Sequence, residues 1–129
     1  MLSDFPAMPV LAVTDLDRAR RFYEDTLGLS PGGEAPDGVV YRAGGVDLLV
    51  YPSAYAGTNK ATAVGFQLPE DAFDDEVARL RERGVDFQEF EMEGLTWRDG
   101  VAEMEGMRSV WFADPDGNIL NIGTPPAAG

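Results

Sequence analysis

One order of elements occurs twice along the chain, and that repetition limits its possible folds more than any other feature. "MPVLAVT" (8–14) is a short apolar run rich in branched residues, the pattern of a buried strand. Thr14 and Asp17 predict a capping box, with Asp15 in the first turn. In "DLDRARRFYEDTLGL", Leu16, Ala19, Tyr23 and Leu27 recur at helical spacing with Phe22 beside them, and Gly28 stands where a terminal glycine belongs. Segments 39–43 and 46–51 read as strands joined at Gly44-Gly45, with a further short strand expected around 33–36.

The order then returns. "ATAVGFQL" (61–68) is strand-like. A helix follows, with Phe73, Val77 and Leu80 on one face. Its acids (Asp71, Asp74, Asp75, Glu76) crowd the start and its arginines (Arg79, Arg81, Arg83) the end, which complements the helix dipole. Gly84 stops it. "VDFQEFEM" alternates like a strand, and "MRSVWFAD" with "NILNIG" forms a hairpin around Asp114-Pro115-Asp116-Gly117-Asn118. Segment 8–13 aligns with 63–68 and Gly45 with Gly117, leaving a surplus in the second copy that falls mainly on "GLTWRDGVAEMEG" (94–106). The prediction is an α+β fold of two tandem strand–helix–strand–strand–strand modules, about 5–53 and 61–124. A loop at 54–60 joins them.

Length and charge narrow the class. The 129 residues suit one domain (1–129), and 44% hydrophobic with 26% charged residues is ordinary globular composition. A formal charge of −13 makes nucleic acid and anionic lipid poor partners. No apolar run is long enough to span a membrane, and no basic stretch leads into an apolar one at the N-terminus, so the expected location is cytoplasmic. Cysteine and histidine are both absent. Disulfides, thiolate metal sites, cysteine nucleophiles and serine–histidine catalysis are therefore excluded, along with the commonest neutral-pH acid/base and metal ligand.

"VTDLDRARRFYEDTLGL" and "WFADPDGNILNI" together resemble the vicinal oxygen chelate superfamily of glyoxalase I, bleomycin-resistance proteins, fosfomycin-resistance enzymes and extradiol dioxygenases. The similarity spans essentially the whole chain. It implies two βαβββ modules building a curved, cup-like mixed sheet around a cavity, helices outside, and a homodimer. Metal-dependent members place four ligands on inward strand positions, usually histidines and carboxylates. The matching residues here are Met8, Ala63, Leu49 and Asn121. A thioether, two hydrocarbons and a neutral amide cannot hold a first-row divalent ion with useful affinity. The expectation is no metal and no cofactor, with Asn121 standing where a metal-binding glutamate would be.

Strand alternation then assigns faces. Met8, Val10, Ala12, Gly65 and Gln67 point inward, as do Asp47, Leu49, Tyr51, Ile119, Asn121 and Gly123. Tyr41 is placed inward too, and Trp111 inward by its match to a pocket position in fosfomycin-resistance enzymes. The candidate ligand-binding set is Met8, Tyr41, Leu49, Tyr51, Gln67, Trp97, Met107, Trp111 and Asn121, aromatic and aliphatic with sparse polar anchors. Gly94, Trp97 and Gly100 suggest a lid or a dimer contact, with a plain surface excursion as the alternative.

Two functions follow. The first is a metal-independent small-molecule-binding protein of the bleomycin-resistance type, holding an aromatic or amphipathic ligand in a dimer. The alternative is a metal-free isomerase or lyase using tyrosine or glutamate; a metal-dependent glyoxalase or dioxygenase ranks below both. A buried carboxylate among Asp47, Glu103 and Glu105 favours the enzyme, and exposure of all three favours the binder.

Overall fold

The computed structural model describes residues 1–35 and 38–125. Their contacts group into two compact units, 1–63 with 114–118, and 64–113 with the residues from 119 on. The far end of the strand expected around 33–36 lies outside the described residues, as do the last four residues of the expected domain.

The first unit holds β1 (Val10–Val13), α1 (Leu16–Arg20), β2 (Ser30–Ala35), β3 (Gly38–Ala43) and β4 (Val46–Pro52). The sheet order is β1-β4-β3-β2, with β1 parallel to β4 and the other pairs antiparallel. Leu11, Val13, Val39, Leu48 and Val50 are buried on one face with Ala19 and Tyr23 of the helical segment. Gly44 and Gly45 both take positive φ, 57° and 83°, and close the β3–β4 hairpin as their sequence predicts.

Two local expectations change. The cap of α1 is Asp15, whose carboxylate accepts from the Arg18 amide at 3.1 Å. Thr14 is drawn away, because its amide and hydroxyl both donate to Asp116. Past Arg20 the helix widens into a π-helical stretch, Arg21–Thr26. That extra width turns consecutive Tyr23 and Glu24 toward partners: Tyr23 donates to Asp114 at 2.8 Å, and Glu24 accepts from Tyr41 at 2.8 Å.

The second unit holds β5 (Thr62–Gln67) from Val64 on, α2 (Glu70–Glu82), β6 (Thr96–Arg98), β7 (Val101–Met104), β8 (Met107–Ala113) and β9 (Ile119–Gly123), in the order β5-β9-β8-β7-β6. In each sheet the first strand lies beside the last, as a repeated module predicts, but four strands follow the helix of the second unit where three follow that of the first. Phe73, Val77 and Leu80 of α2 are buried with Val110, Phe112, Leu120 and Ile122. Arg108 fastens this layer. Its guanidinium lies 4.6 Å from the Phe73 ring centroid and pairs with Asp74 at 2.7 Å and Glu70 at 2.9 Å.

The segment "VDFQEFEM" forms no strand. It makes one backbone bond to β8, from the Gln88 amide to the Trp111 carbonyl at 2.8 Å, and its acids fall on both faces of the extended chain. A strand with carboxylates on both faces has none to bury. The outer strands come instead from 94–106, which is neither a loop nor a plain excursion. It is the β6–β7 hairpin, in register Thr96↔Glu103, Trp97↔Ala102 and Arg98↔Val101, with Ala102 paired to Ser109 of β8.

Candidate functional site

The turn at 114–118 builds scaffold. Asp114 is 5% exposed and its carboxylate is fully used. One oxygen accepts from the amides of Asp116 and Asn118 at 3.0 and 2.8 Å. The other accepts from the Tyr23 hydroxyl and the Asn118 side-chain amide, both at 2.8 Å. Asn118 Nδ2 also donates to the Ala12 carbonyl at 2.8 Å, tying the turn to β1. Burial, then the Asp114 charge, pushes the Tyr23 phenol far above its ordinary range. Tyr41 is shifted the same way by burial and its bond to Glu24.

Tyr41 therefore leaves the candidate set. It pairs with Leu48 across β3–β4, is fully buried on the helix-facing side, and stacks on Tyr23 with centroids 5.9 Å apart. The inward placement failed because the hairpin's register, rather than its approximate length, sets the phase. Leu49 and Tyr51 do share the opposite face of that sheet with Val10 and Ala12, their partners in β1. Met8 is 44% exposed ahead of β1, where pairing begins only at Pro9, whose carbonyl accepts from the Leu49 amide.

The five-stranded sheet gathers more. Trp111 pairs with Asn121 and Ser109 with Gly123, so Met107, Ser109, Trp111 and Asn121 lie on the face away from α2. Burial alternates along β5 in the same sense, leaving Gly65 and Gln67 exposed. Trp97 belongs to this face through Ala102 and Ser109. Its ring is 6.0 Å from Trp111, and Phe90 meets both edge-on at 5.2 and 4.9 Å. Phe90 is the residue the sequence reading missed. Three positions separate it from Phe87, which packs on Phe112 at 6.1 Å, so in an extended segment the two must face opposite ways. Asn121 donates to the Val110 carbonyl at 3.2 Å, and its own side-chain oxygen sits 3.4 Å from the space a side chain at Gly65 would fill. An open cavity of about 420 Å³ adjoins Trp97, lined also by Glu91, Met92, Glu93 and Leu95.

Acid/base chemistry finds little here. Glu103 and Glu105 are exposed, and Asp47 is half-exposed and paired with Arg42 at 3.0 Å. The donor set implied for a metal also does not fit: Met8, Leu49 and Ala63 offer no nitrogen or oxygen ligand, and Asn121 only a neutral oxygen. Among the described residues, no group of three or more His, Cys, Asp or Glu is arranged for a metal ion.

The glyoxalase/bleomycin resistance protein/dioxygenase family model matches residues 6–122. No curated protein matches the chain. Among solved structures, Oxidase ChaP-H2 is similar at 27% identity and TM-score 0.72, with 97% of each chain covered. A glyoxalase/bleomycin resistance protein/dioxygenase from Alicyclobacillus acidocaldarius is similar at 21% and 0.71, covering 94% of this chain and 91% of that one. Fosfomycin resistance protein FosX from Mesorhizobium loti follows at 18% and 0.69, covering 98% and 96%. The last two likenesses carry the fold alone. With the repeated strand order and a family match over nearly the whole length, the chain belongs to the glyoxalase/bleomycin resistance protein/dioxygenase superfamily.

Proposed function

We propose that the chain is a metal-independent small-molecule-binding protein that works as a homodimer and holds an aromatic or amphipathic ligand. The observation that carries this reading is the Phe90–Trp97–Trp111 cluster, left partly uncovered on a sheet face beside Asn121, Gln67 and Met107. Large rings that serve only as core are driven to full burial, as Phe73 and Phe112 are. The half-covered rings have surface left for a ligand to bury. Leu49 and Tyr51 lie on the open face of the four-stranded sheet and are proposed as ligand-binding residues of that unit. Leu2, Phe5 and Val10 are 88%, 68% and 51% exposed, apolar surface that a second copy would cover.

The likeness to an oxidase at 27% identity favours a second reading, an enzyme. The exposure of Glu103 and Glu105 and the pairing of Asp47 weigh against acid/base catalysis by this chain, since a catalytic carboxylate needs a tuned pKa. Native mass spectrometry on protein purified without a histidine tag tests the choice, before and after adding manganese, nickel, zinc and iron(II). A dimer mass without metal, carrying a co-purified small molecule, is expected. A stoichiometric metal adduct overturns the proposal.

A further inference from the structure

We infer that the ligand taken up beside Trp97 is a cation with a flat apolar body. This rests on the small-molecule reading above and names the chemical class. The cavity next to Trp97 has three apolar walls, Met92, Leu95 and Trp97, and two carboxylates, Glu91 and Glu93. Among the described residues, no basic side chain lines it. Phe90 and Trp111 clamp the Trp97 ring edge-on and tilted, so its orientation is set before a ligand arrives. An indole face is the best aromatic partner for a positive charge. The carboxylates lie within a screening length of anything resting on that face. An anion there would meet both, on a chain already at −13.

The second cavity, about 480 Å³, does not compete. It too is rich in carboxylates (Asp86, Glu89, Asp99), but its aromatic, Phe87, is already covered by Arg81 at 5.3 Å, and that guanidinium donates to the Asp99 carbonyl. Glu89 accepts from the Gly100 amide at 3.0 Å. Its ring already carries a cation of the chain's own, whereas the Trp97 ring has, among the described residues, aromatic neighbours only.

Three fluorescent tricyclic probes of one size separate charge from shape: 9-aminoacridinium, uncharged 9-anthracenemethanol, and anthracene-9-carboxylate. Probe anisotropy is read against the full chain at low salt. The cation should bind about fivefold tighter than the neutral probe, because two solvated carboxylates line the cavity, and the anion weaker than both. The double variant Glu91→Gln/Glu93→Gln should bring the cation-to-neutral ratio close to one, as should about 1 M salt. Trp97→Leu should weaken all three. If neutral and cationic probes bind equally, or the anion binds best, the charge inference fails and the binding platform stands. If no probe binds, the small-molecule reading itself falls.

Discussion

Raising the pH from about 8 to about 11 should weaken the folded chain through two named tyrosines. Tyr23 is buried against the Asp114 carboxylate, and Tyr41 is buried and bonded to Glu24, so both phenols resist ionisation in the folded state. In the unfolded chain each ionises near its ordinary value of about 10. The sign follows from linkage: a folded-state pKa raised above the unfolded one leaves stability intact below about pH 10 and removes it as the pH climbs toward the folded value. At about pH 11 each tyrosine should cost about 1.4 kcal/mol relative to pH 8, so about 3 kcal/mol for the pair. Other groups and the growing negative charge add a background slope, which the variants share. Tyr23→Phe should lose about 2 kcal/mol at pH 8, where a hydrogen bond to a buried carboxylate disappears, yet fall about 1.4 kcal/mol less on going to pH 11. Tyr41→Phe should show the same flattening. Urea unfolding followed by tryptophan fluorescence at four pH values measures both quantities. Equal alkaline slopes for wild type and Tyr23→Phe would refute the claim that this phenol is held protonated.

Three further outcomes are expected. Asn121→Glu should not confer nickel or manganese binding by calorimetry, because Met8, Leu49 and Ala63 still offer no adequate ligand; tight binding would show that the positions carried over from the family are misassigned. Gly57→Ala should destabilise by more than about 2 kcal/mol in thermal or urea unfolding, since Gly57 sits at φ 78° and a side-chain carbon there collides with the Asp116 carbonyl oxygen. Unchanged stability would mean that the loop shifts freely. Arg108→Ala should cost about 1 kcal/mol, part of it lost in high salt even in wild type, because its partners Glu70 and Asp74 are well exposed while its stacking on Phe73 is not screened.

Much of the fold was legible because the elements carry strong local signals. Gly28 and Gly84 stop their helices at φ 77° and 86°, and Phe73, Val77 and Leu80 mark the buried stripe of α2. What failed was decided between segments. The alternation in "VDFQEFEM" slips phase at Gln88-Glu89, and the outer strands formed from 94–106. Tyr41 was misphased because a hairpin's register cannot be read from spacing alone. The candidate site was half legible: composition picks out Trp97, Trp111 and Asn121, but only pairing shows that Trp111 faces Asn121 and that Phe90 joins the two indoles.

The turn at Asp114–Asn118 also imposes an order in time. Its carboxylate and amide satisfy Tyr23 and the Ala12 carbonyl, groups made more than ninety residues earlier. A nascent chain that has reached Ala63 has every strand of its first sheet and still lacks the segment that completes that unit. About fifty more residues must be made, roughly 3 to 10 s at ordinary synthesis rates. During that interval Tyr23 has no Asp114 to bond. The first module is thus expected to wait, partly formed, for the end of its own translation, and a fragment cut after the first sheet should never gain the stability of the module it appears to contain.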